Sequence, residues 1–483
     1  MTGDASPVRT VLTRAGRTIR PNTTTPPIRQ VLADHRELMS ISRTRTQAPL
    51  TSLRHYSGTT PGKVIMLGLV LAIGMLVTGW YGSTELEQRT ATLRAMIDRT
   101  EPLAEASQVL YSSLSIADAA ANSAFISGGL ESPELRARYA DALATASASM
   151  ILATGSAGTP GSTTGSSTLP GSHTVDADLQ TLATTIPVYS GLIETARTNN
   201  RAGNPVASAY LGQASSLMQD RLLPAAQRLY EHRYADISDP QSTLTVPPYG
   251  VYLGLLVVAI ALVGASRFLA ARTRRRFNLG VVAALAAILG GLVWLLASGL
   301  TSVAATNSAR TDGAAPLRQL TEARIVTQQA RSAETLSLVR RADQTDLDRV
   351  FAESTQQVAT TMSMLAEDEG AGPVSSAQIS AVTSALRQWQ SSDQDTRAAI
   401  ERGDFVGART LTIGTQPAST ARSYAAVDAA LVDAITTTRT TFRDDINTAQ
   451  RVLGFTGTGV LALTIFATVV LVLGLIPRVR EYR

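Results

Sequence analysis

Two long apolar runs on either side of a short arginine-rich stretch constrain this chain more than any other feature. Tyr249–Ala265 is almost wholly apolar and Leu279–Leu300 carries no charged residue, so each run can cross a hydrocarbon layer of roughly 30 Å as a helix. The stretch between them holds five arginines, which are Arg267, Arg272, Arg274, Arg275 and Arg276. Moving several guanidinium groups across a bilayer is costly, so we predict that the turn 267–277 is cytoplasmic and couples the chain to a cytoplasmic effector.

Two further apolar runs complete a set of four predicted spans. We place the transmembrane helices at 63–82, 249–266, 278–300 and 452–476. Alternation across the membrane then puts 83–248 and 301–451 outside the cell. The remaining segments, 1–62 and 477–483, are predicted to be a disordered basic arm and a basic tail on the cytoplasmic side.

The distribution of charge agrees with this orientation. Residues 1–63 hold 10 basic and 3 acidic side chains, whereas 83–248 hold 10 basic and 16 acidic, and 301–450 hold 14 basic and 18 acidic. The formal charge of +5 is an average over these two populations, so we do not expect nucleic acid as a partner. We expect a multi-pass plasma-membrane protein whose N- and C-termini are both cytoplasmic.

Helical periodicity fills the first segment predicted to lie outside. Apolar and small residues recur from Leu103 to Ala124 with spacings of four and three, which indicates a helix in a bundle. Ser132-Pro133 is typical of a helix start, and residues 155–173, rich in Gly, Ser, Thr and Pro, are typical of a flexible loop. Two more helices are predicted near 175–200 and 205–237.

The second outside segment repeats the plan of the first. Ala315-Pro-Leu317 stands where the first segment has Glu101-Pro-Leu103, and Gly403-Asp404 aligns with Gly203-Asn204 between the third and fourth helices. The glycines suit a left-handed helix end, and we expect Asn204 and Asp404 to cap the next helix. The fold class is therefore all-α: a polytopic protein with four transmembrane helices and two extracytoplasmic, sensor-like four-helix bundles that arose by internal duplication.

Motifs for catalysis or metal binding are not found in the sequence. The four histidines are far apart, the chain has no cysteine, and no phosphate-binding glycine loop or HExxH motif is present. We therefore expect no enzyme activity, no cofactor and no metal site. Arg136 and Arg138, with Arg340 and Arg341, are candidates for binding a carboxylate ligand; the alternative is that they pair with neighbouring acids, among them Glu134, Asp343 and Asp346.

This layout, with its two Gly-Asn or Gly-Asp turns, resembles the four-helix sensor domains of bacterial chemoreceptors and histidine kinases. It resembles more closely the actinobacterial GlnX-type membrane proteins, over Val64–Ile476. That resemblance implies a signal transducer that relays amino-acid availability, detected outside by a GlnH-like solute-binding lipoprotein, to a PknG-like cytoplasmic Ser/Thr kinase. The lipid bilayer and a second copy of the chain are the other partners that we expect. An accessory subunit of a membrane transporter and a passive cell-envelope scaffold remain as alternatives.

Overall fold

The computed structural model describes residues 60–127, 131–155, 172–273, 278–340, 344–367, 374–414 and 416–480. In these ranges every regular element is helical, which confirms the all-α fold. The predicted arm up to residue 59 and most of the predicted loop, 156–171, lie outside the described residues. The chain divides into two compact units. Of the described residues, the smaller unit contains 60–69 and 475–480, and within it Gly68 faces the side chain of Leu475.

The larger unit, Val70–Gly474, contains two helical bundles and most of the apolar helices. The helices of the first half of the chain are α1 (Thr60–Ala95), α2 (Glu101–Ser127), α3 (Pro133–Ala153), α4 (Ser172–Arg201), α5 (Ala207–Leu217), α6 (Leu223–Leu244) and α7 (Tyr249–Thr273). Those of the second half are α8 (Leu279–Ser308), α9 (Ala315–Arg340), α10 (Gln344–Glu367), α11 (Ser376–Glu401), α12 (Phe405–Ile413), α13 (Thr420–Gly454) and α14 (Thr456–Arg480).

Within the part of the chain that the structure describes, four helical segments are long and apolar enough to cross a membrane, as predicted. Three of them continue far beyond the span, over 66 residues from Gly62, 61 residues from Leu279 and 58 residues from Thr420. The segment from Tyr249 has only 23 residues, because Pro247 and Pro248 separate α6 from α7. Each bundle is therefore joined to at least one span by a nearly uninterrupted helix.

A π-helical turn marks the same point in both halves of the chain. Met96–Thr100 joins α1 to α2, and Ala309–Ala314 joins α8 to α9. A third π turn, Met218–Leu222, joins α5 to α6. A π turn accommodates one additional residue in a helix and is found frequently at functional sites. The paired positions support the internal duplication that the sequence predicts.

The apolar helices pack through small residues. Gly254 of α7 faces Thr78 of α1, Gly79 of α1 faces Thr464 of α14, and Gly299 of α8 faces Tyr252 of α7. Between α8 and α14 the neighbour is backbone instead of a side chain, because Gly280 faces the Cα of Gly474. Small side chains permit such contacts because they let two helix backbones come close. The glycine stripe at Gly250 and Gly254 thus serves contacts within one chain.

The arginine-rich turn begins later than predicted. Helix α7 continues to Thr273, so Arg267 and Arg272 belong to the helix and not to a turn that starts at residue 267. Arginine is a good helix former and no Gly or Pro interrupts this stretch, which explains the extension. Arg267 is exposed, whereas Arg274, Arg275 and Arg276 lie outside the described residues. The predicted loop at 155–173 is also shorter, because α4 already includes Ser172 and His173.

The two glycine turns have the backbone that the sequence predicts. Gly203 and Gly403 adopt φ values of 71° and 77°, and in each turn the next residue donates its N–H to a carbonyl five positions back, a helix-ending arrangement that favours glycine. Asp404 caps α12, since its Oδ1 accepts from the N–H of Gly407 at 2.8 Å. The predicted cap at Asn204 is wrong: its side chain donates to Asn199 Oδ1 at 3.0 Å, and α5 starts only at Ala207.

We predict that Gly280→Val destabilises the packing of α8 on α14. A Cβ at Gly280 would lie 2.5 Å from the Cα of Gly474, whereas a Cβ at Gly290 of the same helix would meet nothing within 4 Å. We expect a loss of about 1–3 kcal/mol for Gly280→Val and almost none for Gly290→Val. Thermal unfolding of the purified chain in detergent measures both; equal melting temperatures for the two variants would contradict this contact.

Candidate functional site

The first helices of the two bundles, α2 and α9, pack against each other. Helix α2 also packs on α3 and α6, so 18 of its 27 residues are buried, including several polar ones. The core of the first bundle even includes Ile325 of α9. The two bundles therefore share a continuous interface, and the polar residues buried in it are the candidates for a functional role.

Equivalent positions of α2 and α9 meet at this interface. When the sequences of the two halves are aligned at Pro102 and Pro316, Asp118 of the first half aligns with Ser332 of the second. The hydroxyl of Ser332 donates to Asp118 Oδ2 at 3.0 Å. This hydrogen bond therefore joins two positions that are equivalent in the duplicated sequence.

Asp118 is the centre of a fully buried polar cluster. Its side chain is 1% exposed, and its oxygens accept from uncharged side chains of α2 itself and of four other helices or turns. Among the described residues these donors are Asn122 (3.2 Å), Tyr189 (3.3 Å), Ser215 (3.3 Å), Gln219 (3.4 Å) and Ser332 (3.0 Å). Gln219 also donates to Ser332 at 2.7 Å. The first bundle and α9 are therefore joined through one carboxyl group.

Burial dominates the ionisation of Asp118. Removal from water raises the pKa of this carboxyl from 3.8 to about 6, against the lowering effect of the hydrogen bonds from Ser332, Tyr189, Gln219 and Ser215. None of its five donors carries a positive charge. The negative form of Asp118 is held only by neutral dipoles, which is an unusual state for a buried carboxylate.

The second bundle contains a related carboxylate, but with a cation. Tyr189 and Trp389 occupy equivalent positions in the third helix of each bundle, at the same separation from their turn glycine. Trp389 Nε1 donates to Glu334 Oε2 at 3.2 Å. Arg331 Nη1 lies 2.6 Å from the same oxygen, and both ionic side chains are buried. In both bundles an aromatic residue of the third helix therefore binds a carboxylate of the first helix, but only Glu334 is neutralised.

A cleft of about 380 Å³ opens at the interface beside Asp118. Its walls come from both bundles: Tyr111, Gln219 and Leu223 on one side, and Gln329 and Ser332 on the other. Gln219 and Ser332 are the same side chains that bind Asp118 Oδ2. The buried carboxyl is thus separated from the cleft by one layer of polar side chains.

A second polar contact joins the bundles close to the membrane spans. Glu101 and Glu105, at the start of α2, pair with two arginines of α13: Arg443 Nε lies 3.0 Å from Glu101 Oε2, and Arg439 Nη1 lies 2.9 Å from Glu105 Oε1. Arg439 also donates to Gln108 at 3.0 Å. The base of the first bundle is therefore fastened to the helix that continues into α14.

The predicted ligand arginines do not form a common site in the described residues. Arg136 is exposed and lies 3.6 Å from Glu131, and Arg138 is exposed on the same helix, α3. The side chain of Arg340 and all of Arg341 lie outside the part that the structure describes. Sequence reasoning missed Asp118, although one signal was present: it is the only charged residue between Glu105 and Glu131.

Comparison with known proteins gives one match. The family model described as "Actinobacterial sensor domain" matches residues 92–242, which correspond to the end of α1 and to the first bundle up to two residues before the end of α6. No curated protein and no solved structure matches the chain. The sensor-domain match and the four apolar helices support an actinobacterial sensor membrane protein that crosses the membrane several times. The GlnX-type resemblance is finer than these findings and stays a prediction.

We predict that Arg331→Met is strongly destabilising because it leaves Glu334 buried without a cation. Losing one partner of a buried ion pair costs about 3–5 kcal/mol. The matched control is Arg349→Met, since Arg349 pairs with Asp346 at 2.8 Å while both side chains are well exposed, and an exposed pair contributes at most about 1 kcal/mol. Chemical unfolding of the purified chain measures both variants. A similar small loss for both would show that the buried pair is not needed.

Proposed function

We propose that the chain is a transmembrane signal transducer that relays extracytoplasmic amino-acid status to a cytoplasmic Ser/Thr kinase. In this proposal the two bundles lie outside the cell and receive the signal from a solute-binding lipoprotein. The N-terminus, the C-terminus and the arginine-rich segment after Arg267 lie inside and contact the kinase. The sensor-domain match over 92–242 supports the sensing part of this proposal, and the sequence resemblance to GlnX-type proteins supports the two partners.

The long helices that connect bundle and span are the observation that carries the proposal. Helices α1–α2, α8–α9 and α13–α14 each continue from the bundles into an apolar span. A helix transmits displacement along its axis because its backbone hydrogen bonds make it stiff. A change in the contact between α2 and α9 would then alter the relative positions of the spans. A protein that served only as a cell-envelope scaffold would not need helices that continue from the bundles into the spans.

The orientation is testable by labelling, because the chain has no cysteine of its own. We predict that Thr410→Cys, at an exposed position of the second bundle, reacts with a membrane-impermeant maleimide in intact cells. Arg267→Cys, exposed at the end of α7, should react only after permeabilisation. Labelling of residue 410 only in permeabilised cells would reverse the orientation and exclude an extracytoplasmic sensor.

Helix continuity is testable by insertion. We predict that two glycines inserted after Thr448, within α13, abolish the change in kinase-substrate phosphorylation that follows amino-acid addition, because glycine weakens the helix and the insertion rotates α14. The same insertion after Val246, where α6 and α7 are already separated by a break, should preserve the response. Phosphoproteomics of cells that express each variant at equal level gives the readout.

These experiments also distinguish the proposed relay from a transporter accessory subunit and from a cell-envelope scaffold. A response that survives the insertion after Thr448 contradicts transmission through α13 and α14. Co-purification of the wild-type chain with a transport ATPase instead of a kinase would favour the accessory-subunit function. Altered cell shape with unchanged amino-acid responses after deletion would favour the scaffold.

A further inference from the structure

Asp118 lies where separation of the two bundles would expose it to water. Its Oδ2 accepts from Ser332 of α9 at 3.0 Å and from Gln219 at 3.4 Å, and Gln219 itself donates to Ser332. Its Oδ1 accepts from Tyr189 and Ser215 within the first bundle. Opening the contact between α2 and α9 removes the Ser332 bond and admits solvent to the carboxyl. The state of the interface and the ionisation of Asp118 are therefore linked.

The cleft at the interface gives protons a path to this group. Gln219 and Ser332 line the cleft of about 380 Å³ and are bonded to Asp118 Oδ2. A cleft of this size holds several water molecules, since one water occupies about 30 Å³ of liquid volume. A rotation of either side chain would open a route between that water and the carboxyl. On the side of the cleft, Asp118 is therefore covered by one layer of side chains.

The groups that face Asp118 leave its charge uncompensated. Helix α4 presents the Tyr189 phenol, α3 the Tyr139 phenol, and α5 with the π turn presents Ser215 and Gln219. The charged side chains in the neighbourhood of Asp118 either pair with other groups or are exposed to solvent. Arg197 stacks on Tyr139 and pairs with Glu131 and Glu194, Arg331 pairs with Glu334, and Asp220 is exposed.

We propose that Asp118 is a proton-binding site at which protonation tightens the contact between the two bundles. The chain would then respond directly to acidity on the side of the membrane where the bundles lie, without a partner protein. The site itself depends only on the geometry of the interface. That the medium sensed is extracytoplasmic rests on the proposed function.

The direction of the effect follows from the two ionisation states. Burial raises the pKa of Asp118 to about 6 in the closed interface, against 3.8 for a hydrated aspartate. The stabilisation by protonation is complete below 3.8 and is lost as the pH rises through 6. Because one pKa unit corresponds to a tenfold change, the ratio of closed to open interface should rise by up to about 100-fold between pH 7.5 and pH 4.

Spin labels at Ala209→Cys and Thr410→Cys report this ratio in the full chain, reconstituted in lipid nanodiscs. Both positions are exposed, one on α5 of the first bundle and one on α12 of the second. We expect the distance distribution between the labels to shift towards the closed form as the pH falls through about 6. Asp118→Asn, which cannot ionise, should stay closed at all these pH values. A distribution that is constant from pH 7.5 to pH 4, or a wild-type response in Asp118→Asn, would overturn the proposal.

Two further variants test whether the pH response of the label distance arises at Asp118 or from a general change in stability. Burial also raises the pKa of Asp393 to about 6, but this residue lies within the second bundle, where Arg397 Nε binds it at 2.6 Å. Asp393→Asn should therefore keep the wild-type pH response of the label distance, and loss of that response would contradict a site at Asp118. Ser332→Ala removes a bond that favours the charged form, so the midpoint should move to higher pH; an unchanged midpoint would count against the site.

Infrared spectroscopy observes the proton without depending on the spin labels. Acidification through about pH 6 should produce a carboxylic-acid C=O band that Asp118→Asn lacks; its presence at equal intensity in both proteins would count against the site. These measurements use the purified chain alone, with no kinase or lipoprotein. A negative result here leaves the proposed relay intact, whereas a negative insertion or labelling experiment in cells leaves the proton site intact.

Discussion

The packing of α2 against α9 is the contact on which the rest of the molecule depends. It requires small side chains, and α2 supplies them: half of the residues between Gln108 and Ser127 are Ala or Ser. These residues let α2 contact α3, α6 and α9 at once. The two bundles are consequently one packed body and not two independent sensor domains on separate pairs of spans. Any signal received by the first bundle acts on α9 directly.

Duplication within one chain permits an asymmetry that two identical subunits cannot have. If two identical copies of the first half packed through this same contact, position 118 of one copy would meet position 118 of the other, so Asp118 would face a second Asp118. Two carboxylates at hydrogen-bond distance repel each other strongly when buried. Here the equivalent position is Ser332, which donates a hydrogen bond to Asp118. The second bundle then holds its own carboxylate, Glu334, two positions further along and beside Arg331.

Local patterns were sufficient to predict the spans, most helices and the glycine turns. Apolar run length determines whether a helix can cross the bilayer, and the left-handed φ of Gly203 and Gly403 follows from short-range geometry.

The buried cluster depends on a register between α2 and α9, which belong to different halves of the chain, and no local pattern contains that register. The periodicity from Leu103 to Ala124 predicted one buried face, whereas α2 is buried on most faces because the second bundle covers it. The cap at Asn204 was not formed because its side-chain amide is turned towards the preceding helix, where it donates to Asn199 Oδ1, and because α5 begins only at Ala207.

The position of the π turns explains how a change at Asp118 can reach the spans. Both turns, Met96–Thr100 and Ala309–Ala314, lie between a span and the first helix of a bundle. Since a π turn has one residue more than an α-helical turn and is a place where helices bend, we infer that it absorbs a small axial shift of α2 relative to α9. Directly after the first π turn, Glu101 is held by Arg443 of α13. A shift of α2 that exceeds what the π turn absorbs therefore pulls on α13, and α13 continues into α14 with only Phe455 between them.

The link from α6 to α7 is interrupted by Pro247 and Pro248 and has no such stiffness. A displacement larger than the π turns absorb should thus enter the membrane through α1, α8 and α14 more readily than through α7.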